Sequence, residues 1–233
     1  MKYTICCVAV RAVEERVKEA DMKYFGMPAG MWLLFHRSFR QKMVTVLGFS
    51  EGESAETERK ALPKYREIIA GLPEFEKGDR FKMNIVNCAM LASFYLNMAR
   101  KPIVAQMTEY YEKAMMISPM RAFCRMAGRQ KFTEKDIRGM EATAALNAAD
   151  RNPYSWNMEL FPYPDDSGYE ARFSRCGICT LMKELGCFEI VPAMCHLDYA
   201  MSEAGGASDF VREYTLASGG PYCDCGYKKK AGK

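Results

Sequence analysis

Histidine is nearly missing, with only two in 233 residues. A catalytic metal centre built on imidazoles normally takes two or three from one site, so that chemistry is set aside first. The chain also lacks a long apolar run. The apolar start MKYTICCVAV turns charged at Arg11, Glu14 and Glu15, too soon to span a bilayer, and no small-residue cleavage site follows it. There is no Gly-rich phosphate loop, no H-E-x-x-H, no nucleophile elbow and no dinucleotide fingerprint. P-loop, zincin, α/β-hydrolase and Rossmann chemistries drop out with them. Neither an internal repeat nor a low-complexity segment is present. A net charge of +4 is too small a basic excess to mark nucleic acid, and part of it is the tail Lys228, Lys229, Lys230 and Lys233, read as a solvated end.

What the chain has instead is sulfur: 10 cysteines and 18 methionines. A disulfide scaffold would be shorter and would carry a secretion signal, so the cysteines read as reduced thiols in a cytoplasmic protein. The methionines suit an adaptable core. With 49% apolar residues there is enough to bury one.

The pattern divides near Asn152-Pro153. Before it, helices are predicted over Ala12 to Tyr24 and Met31 to Leu47. A loop over Glu51 to Glu58 leads into a helix ending at Ala70, with Pro63 marking its start or a kink. Phe81 to Met98 is apolar or small on nearly every side, which predicts a central helix buried all round. Pro102 suits the first turn of the next helix, Pro119 breaks or kinks it, and Thr133 opens another that fades by Asn147. After the divide come a hairpin, Tyr154 to Tyr163 and Tyr169 to Arg175, then helices from Gly177 and Pro192, then strands Phe210 to Leu216 and Tyr222 to Tyr227. The expectation is an α+β fold: a helical region, 1–150, packed with a cysteine-rich module, 151–233, of order β-β-α-α-β-β. The two are expected to form one continuous unit, since a small sheet needs a layer against its open face.

Six cysteines fall in the last quarter: Cys176, Cys179, Cys187, Cys195, Cys223 and Cys225. Cys6, Cys7, Cys88 and Cys124 sit in helical patterns and read as buried small hydrophobes. Cys176 and Cys179 form a C-x-x-C between a strand and a helix, where amides and the helix dipole favour a thiolate. Three functions stay open for it: redox exchange, half of a metal site completed by Cys223-x-Cys225, or a single reactive Cys176. Two packed thiols are the plain alternative. Cys195 and Asp198 are three apart and share a helix face, while His196 points about 100° away. Asp198 does not activate a thiol, because its charge raises the thiol pKa; it suits a cationic substrate group or a proton in transit. His36 reads as structural.

The segment RCGICTLMKELGCFEIVPAMCHLDYAMSEAGG, followed by DFVREYTLASGGPYCDC, resembles the L-2-amino-thiazoline-4-carboxylic acid hydrolase family. The resemblance rests on the order and spacing of Arg175-Cys176, Lys183-Glu184-Leu185-Gly186, Cys195 with Asp198, Arg212 before Thr215-Leu216, and Gly219 before Cys223-Asp224. It covers the last third of the chain and is looser upstream, at LPEF and the long apolar helix. Cys225 stands where an aromatic residue is expected, and Cys179 and His196 look particular to this chain.

The resemblance implies a small-molecule substrate: a cyclic isothiourea bearing a carboxylate, opened at a C–N or C–S bond. A thiolate suits its C2 carbon, a carboxylate can hold the amidinium, and an arginine can hold the substrate carboxylate. On that basis Cys176 or Cys195 is the nucleophile, Asp198 orients the amidine and moves the proton, Arg212 or Arg175 binds the carboxylate, and Cys223 lines the pocket. No cofactor is expected under this reading. The alternative is a zinc or iron site of Cys176, Cys179, Cys223 and Cys225, structural or hydrolytic. A further one is a binding or sensing module without turnover. Neither nucleic acid nor membrane is expected as a partner, and a homo-oligomer stays open.

Overall fold

Ser50 begins the helical half's main departure from expectation. Its hydroxyl accepts from Glu53 N–H at 3.2 Å, and the Glu53 carboxylate accepts from Ser50 N–H at 2.8 Å. This reciprocal capping box satisfies two amides that a helix start leaves bare. The acidic stretch predicted as a loop is therefore the first turn of a helix. In the computed structural model, residue 23 and residues 25–230 are described. Cys6, Cys7 and, Lys23 apart, the helix predicted over Ala12 to Tyr24 lie outside the described residues.

The helices in chain order are α1 (Met27–Thr45), α2 (Glu51–Gly71), α3 (Lys82–Asn97), α4 (Val104–Met115), α5 (Ser118–Gln130) and α6 (Glu134–Ala149). Pro63 lies within α2 and is not its start. Pro102 falls ahead of α4, and Pro119 opens the separate helix α5, a first-turn position where its missing N–H costs nothing. Every residue of α3 from Ile85 to Tyr95 is buried, as its lack of a polar face requires.

The C-terminal part continues with β1 (Asn157–Pro162), β2 (Gly168–Arg175), α7 (Gly177–Glu184), α8 (Val191–Gly205), β3 (Ser208–Val211) and β4 (Cys223–Lys229). The strands form one antiparallel sheet of order β1-β2-β4-β3. The fold is α+β, with the β-β-α-α-β-β order expected. β3 stops short of the predicted Leu216 for a reason set far along the chain. The Asp224 carboxylate accepts from Glu213 N–H at 2.8 Å and Tyr214 N–H at 2.6 Å, so those amides leave the ladder.

The two regions share their packing. α3 packs on α7, α4 and α5 on α8, and α6 on β1. α5 and α8 meet at glycines: a Cβ on Gly128 would stand 2.2 Å from the Gly205 carbonyl oxygen. Cleavage near Asp150 would strand apolar faces on both sides, so limited proteolysis there should not yield two fragments that each keep a cooperative melt. A pair of independently folded fragments would contradict this.

Candidate active site

The register of β2 against β4 lays the floor of the site. Tyr169, Ala171 and Phe173 are the buried residues of β2, and their partners on β4 are Tyr227, Cys225 and Cys223. Residues two apart on a strand share a face. The C-x-C spacing therefore turns both thiols inward and Asp224 outward, where it holds the chain after β3. Between this floor and the helices lies a cavity of about 520 Å³, within the ~300–1,000 Å³ usual for small-molecule sites. Met83, Met115, Met120, Met140, Met194 and Met201 line much of it, a wall that can reshape around a ligand.

The one cavity gathers Cys176, Cys195, Asp198, Arg212, Cys223 and Cys225. Cys176 is the N-cap residue of α7. Gly177 lets the helix start there, since a Cβ on it would meet the Tyr154 carbonyl oxygen at 1.9 Å. The Cys176 sulfur makes no N-cap hydrogen bond of strict geometry. Its surroundings still favour the thiolate. The Cys179 thiol foremost, then the Cys179 and Ile178 amides and the Trp156 side chain, bring its pKa below the ordinary thiol value against the effect of burial. Cys179 does not line the cavity, and donation to Cys176 together with burial pushes its own pKa far up. The two thiols of C-x-x-C are thus unequal, Cys176 shifted toward the thiolate and Cys179 away from it.

The remaining cavity thiols go the other way. Burial raises Cys223 and Cys195, the latter helped by the Asp198 charge, and it pushes Cys225 up to about 12. Of the two nucleophiles the sequence allowed, the environment favours Cys176.

Asp198 and Arg212 hold each other. Arg212 Nη2 donates to Asp198 Oδ2 at 2.6 Å, and Nη1 donates to the Cys195 carbonyl at 2.8 Å. The arginine is nearly sealed at 6% side-chain exposure, whereas Asp198 keeps 40% and lines the cavity. Burial raises the Asp198 pKa although Arg212 and Lys131 oppose it. The exposed part of Asp198 gives onto the cavity. Arg212, with its fork committed, positions Asp198. Arg175 lies outside the cavity: its Nη2 donates to the Asp150 carbonyl at 3.0 Å and the Trp156 carbonyl at 3.4 Å. It fastens the link between α6 and β1.

The metal reading needs Cys176, Cys179, Cys223 and Cys225 together. Cys225 Sγ instead accepts from Arg212 Nη2 at 2.8 Å, and Cys223 Sγ accepts from Leu216 N–H at 3.2 Å. Among the described residues, no group of three or more His, Cys, Asp or Glu side chains is placed to hold a metal ion. As placed, these four thiols do not form a donor set that fits zinc or iron. The histidines are elsewhere. His36 lies against Glu58 at 2.5 Å and stacks on Trp32, and His196 lies 3.3 Å from Glu112 and stacks on Tyr199.

Among the polar cavity residues that sequence reasoning missed are Asn87 of α3 and Lys131, which follows α5. Asn87 had a signal, being an amide inside a helix with no polar face. Lys131 had none, because GRQKFTEKD reads as an ordinary charged connection.

Among the described residues no helix is long and apolar enough to cross a membrane. No curated protein and no solved structure matches the chain. A family model does, over residues 83–227, reaching from α3 through β4 and so taking in both walls of the cavity. By that match, which spans well over half of its length, the chain belongs to the L-2-amino-thiazoline-4-carboxylic acid hydrolase family.

Proposed function

We propose that the chain hydrolyses a carboxylate-bearing cyclic amidine or isothiourea, with Cys176 as nucleophile. The observation that carries this is the contrast among the cavity thiols: Cys176 alone of the four on the C-terminal wall is shifted toward the thiolate, and Asp198 shares its cavity.

In the first step the Cys176 sulfur bonds to C2 of the ring, giving a tetrahedral adduct. The ring C–S or C–N bond then breaks, and the leaving atom takes a proton from Asp198. The raised pKa of Asp198 suits it to carry that proton, and Arg212 keeps it aimed. The enzyme is left with an S-linked amidinium after C–S cleavage, or an S-linked iminium bearing a second sulfur after C–N cleavage. Water adds to the same carbon, losing one proton to Asp198, and the Cys176 thiolate departs as the carbonyl forms and the second proton of that water passes to solvent. The product is the ring-opened carbamoyl compound, one water heavier than the substrate, and no oxidant or reductant is consumed. Asp198 Oδ2 is taken by Arg212, which leaves Oδ1 to hold an amidinium N–H. A five-membered ring with one carboxylate fills only part of about 520 Å³, so the methionine wall has room for a substituent. A cytoplasmic setting agrees with the chemistry, because a reducing compartment keeps Cys176 and Cys179 as thiols.

Incubation of the reduced protein with L-2-amino-thiazoline-4-carboxylate, followed by mass spectrometry, should show a product heavier by one water, formed equally with and without a chelator. Loss of product with chelator would point to metal-assisted hydrolysis. No product from this compound or from ring-substituted analogues would refute the hydrolase reading.

A further inference from the structure

Lys131 follows α5 directly, and the turn after it is strained: Phe132 adopts a left-handed backbone with φ 64°, unfavourable for a residue with a Cβ. The Lys131 ammonium lies over the sheet, 3.3 Å from the centre of the Tyr227 ring, and donates to Tyr169 Oη at 3.0 Å. Both partners are neutral. Among the described residues, no carboxylate is ion-paired with it. The nearby acid, Asp136, is engaged by Phe132 N–H at 3.0 Å and Tyr169 Oη at 3.4 Å. Arg80 adds a second cation to this corner, while Asp136, Asp198 and Cys225 are the acidic groups that act on Lys131. An ammonium has three protons; one goes to Tyr169 and one to the Tyr227 face, so one is left for the cavity. A second feature in the same cavity also asks for a ligand. The Asn87 side-chain oxygen is buried, in a residue 7% exposed, and has no hydrogen-bond partner.

We infer that Lys131 anchors the carboxylate of the substrate, with Asn87 supplying a polar contact elsewhere in the same cavity. The inference rests on the hydrolase reading for the substrate's class but not for its geometry. It also resolves a conflict, since the Nη groups of Arg212 go to Asp198, the Cys195 carbonyl and Cys225, leaving only its buried Nε without a partner, and Arg175 lies outside the cavity. Burying this ammonium without an ion pair costs stability. Burial holds the Lys131 pKa down at about 8, against an ordinary 10.5. That destabilisation is present in full below about pH 8 and is relieved as pH rises toward 10.5, where the unfolded chain also loses the proton.

The test uses the Cys176→Ser protein, in which binding can be read without turnover. L-2-amino-thiazoline-4-carboxylate and its uncharged carboxamide are titrated calorimetrically into Cys176→Ser and into Cys176→Ser/Lys131→Met. The carboxylate should bind about 30-fold more weakly to the double variant, the scale of a charge-assisted hydrogen bond. The carboxamide should bind both proteins alike. Lys131→Arg should keep part of the carboxylate's advantage. Without ligand, Lys131→Met should melt at a higher temperature than the parent at pH 7, with a smaller gain at pH 10. Equal carboxylate binding in the two proteins, no carboxylate binding to Cys176→Ser, or a lowered melting temperature for Lys131→Met would each overturn the inference. Lys131-dependent binding in a wild type that turns nothing over would uphold it and remove the hydrolase reading instead.

Discussion

Cys176→Ser should lower kcat/KM for ring opening by at least about a thousandfold while leaving the melting temperature within a few degrees. A hydroxyl at this position is a far weaker nucleophile at neutral pH, and loss of a covalent nucleophile typically costs a large part of catalysis. Folding should tolerate the change, because serine fits the N-cap of α7 better than cysteine does. The thiol can also be tested without any substrate. Iodoacetamide reacts with thiolates, so the alkylation rate at Cys176 should rise with pH through a midpoint below the ordinary thiol value of 9.0. Cys225, pushed up to about 12, should stay protected over the same range. Peptide mapping after a short exposure near pH 7.5 should find Cys176 labelled first. Labelling of Cys195 or Cys225 ahead of it, or a Cys176→Ser enzyme of ordinary activity, would shift the nucleophile elsewhere.

Asp198→Asn should reduce kcat by roughly 10²–10⁴-fold, the usual scale for loss of a positioned proton carrier. The amide keeps the shape and can still accept from Arg212, but it neither carries the proton nor balances the charge. Arg212, only 6% exposed, then faces a neutral partner. The expected loss of stability is about 1–3 kcal/mol, discounted toward the lower end because Asp198 is 40% exposed. In a chain of this size that is a melting-temperature drop of about 2–8 °C. Arg212→Met should destabilise similarly or more, since it strips donors from Asp198, Cys195 and Cys225 at once. The two effects separate experimentally: kinetics run well below the melting point of each variant report the loss at the site free of the loss of stability. Full activity in Asp198→Asn would end that role.

Much of the fold was legible because its punctuation is local. Gly186, Pro192, the Gly205-Gly206 pair and Gly219-Gly220-Pro221 mark boundaries through backbone geometry, and the β-β-α-α-β-β order follows from them. The uniform apolarity of Phe81 to Met98 gave the central helix. The misreadings have equally physical causes. Ser50 and Glu53 carried a capping box in plain view, but the acidic content of the segment outweighed it. The early end of β3 depends on Asp224, more than ten residues further on, and no local rule reports that. At the site, the cysteines and Asp198 were identifiable from spacing and residue type. Choosing between Arg175 and Arg212 required knowing which guanidinium faces the cavity. Lys131 required knowing what lies beneath it, two tyrosine rings and no ion-paired carboxylate.

The cavity takes Cys176, the proposed nucleophile, and Asp198 from one stretch of chain, and Asn87, Lys131 and four of its six methionines from another. Those two stretches are free to change at different rates. On the proposed mechanism, substitutions in α3 through α6 can alter which molecule is held without disturbing Cys176, so long as the close meeting of Gly128 with Gly205 is kept. A lineage carrying this architecture could therefore exchange one substrate for another while inheriting its reaction intact. The helical wall, rather than the cysteine-rich segment, is the place to look for what distinguishes one such protein's diet from its neighbour's.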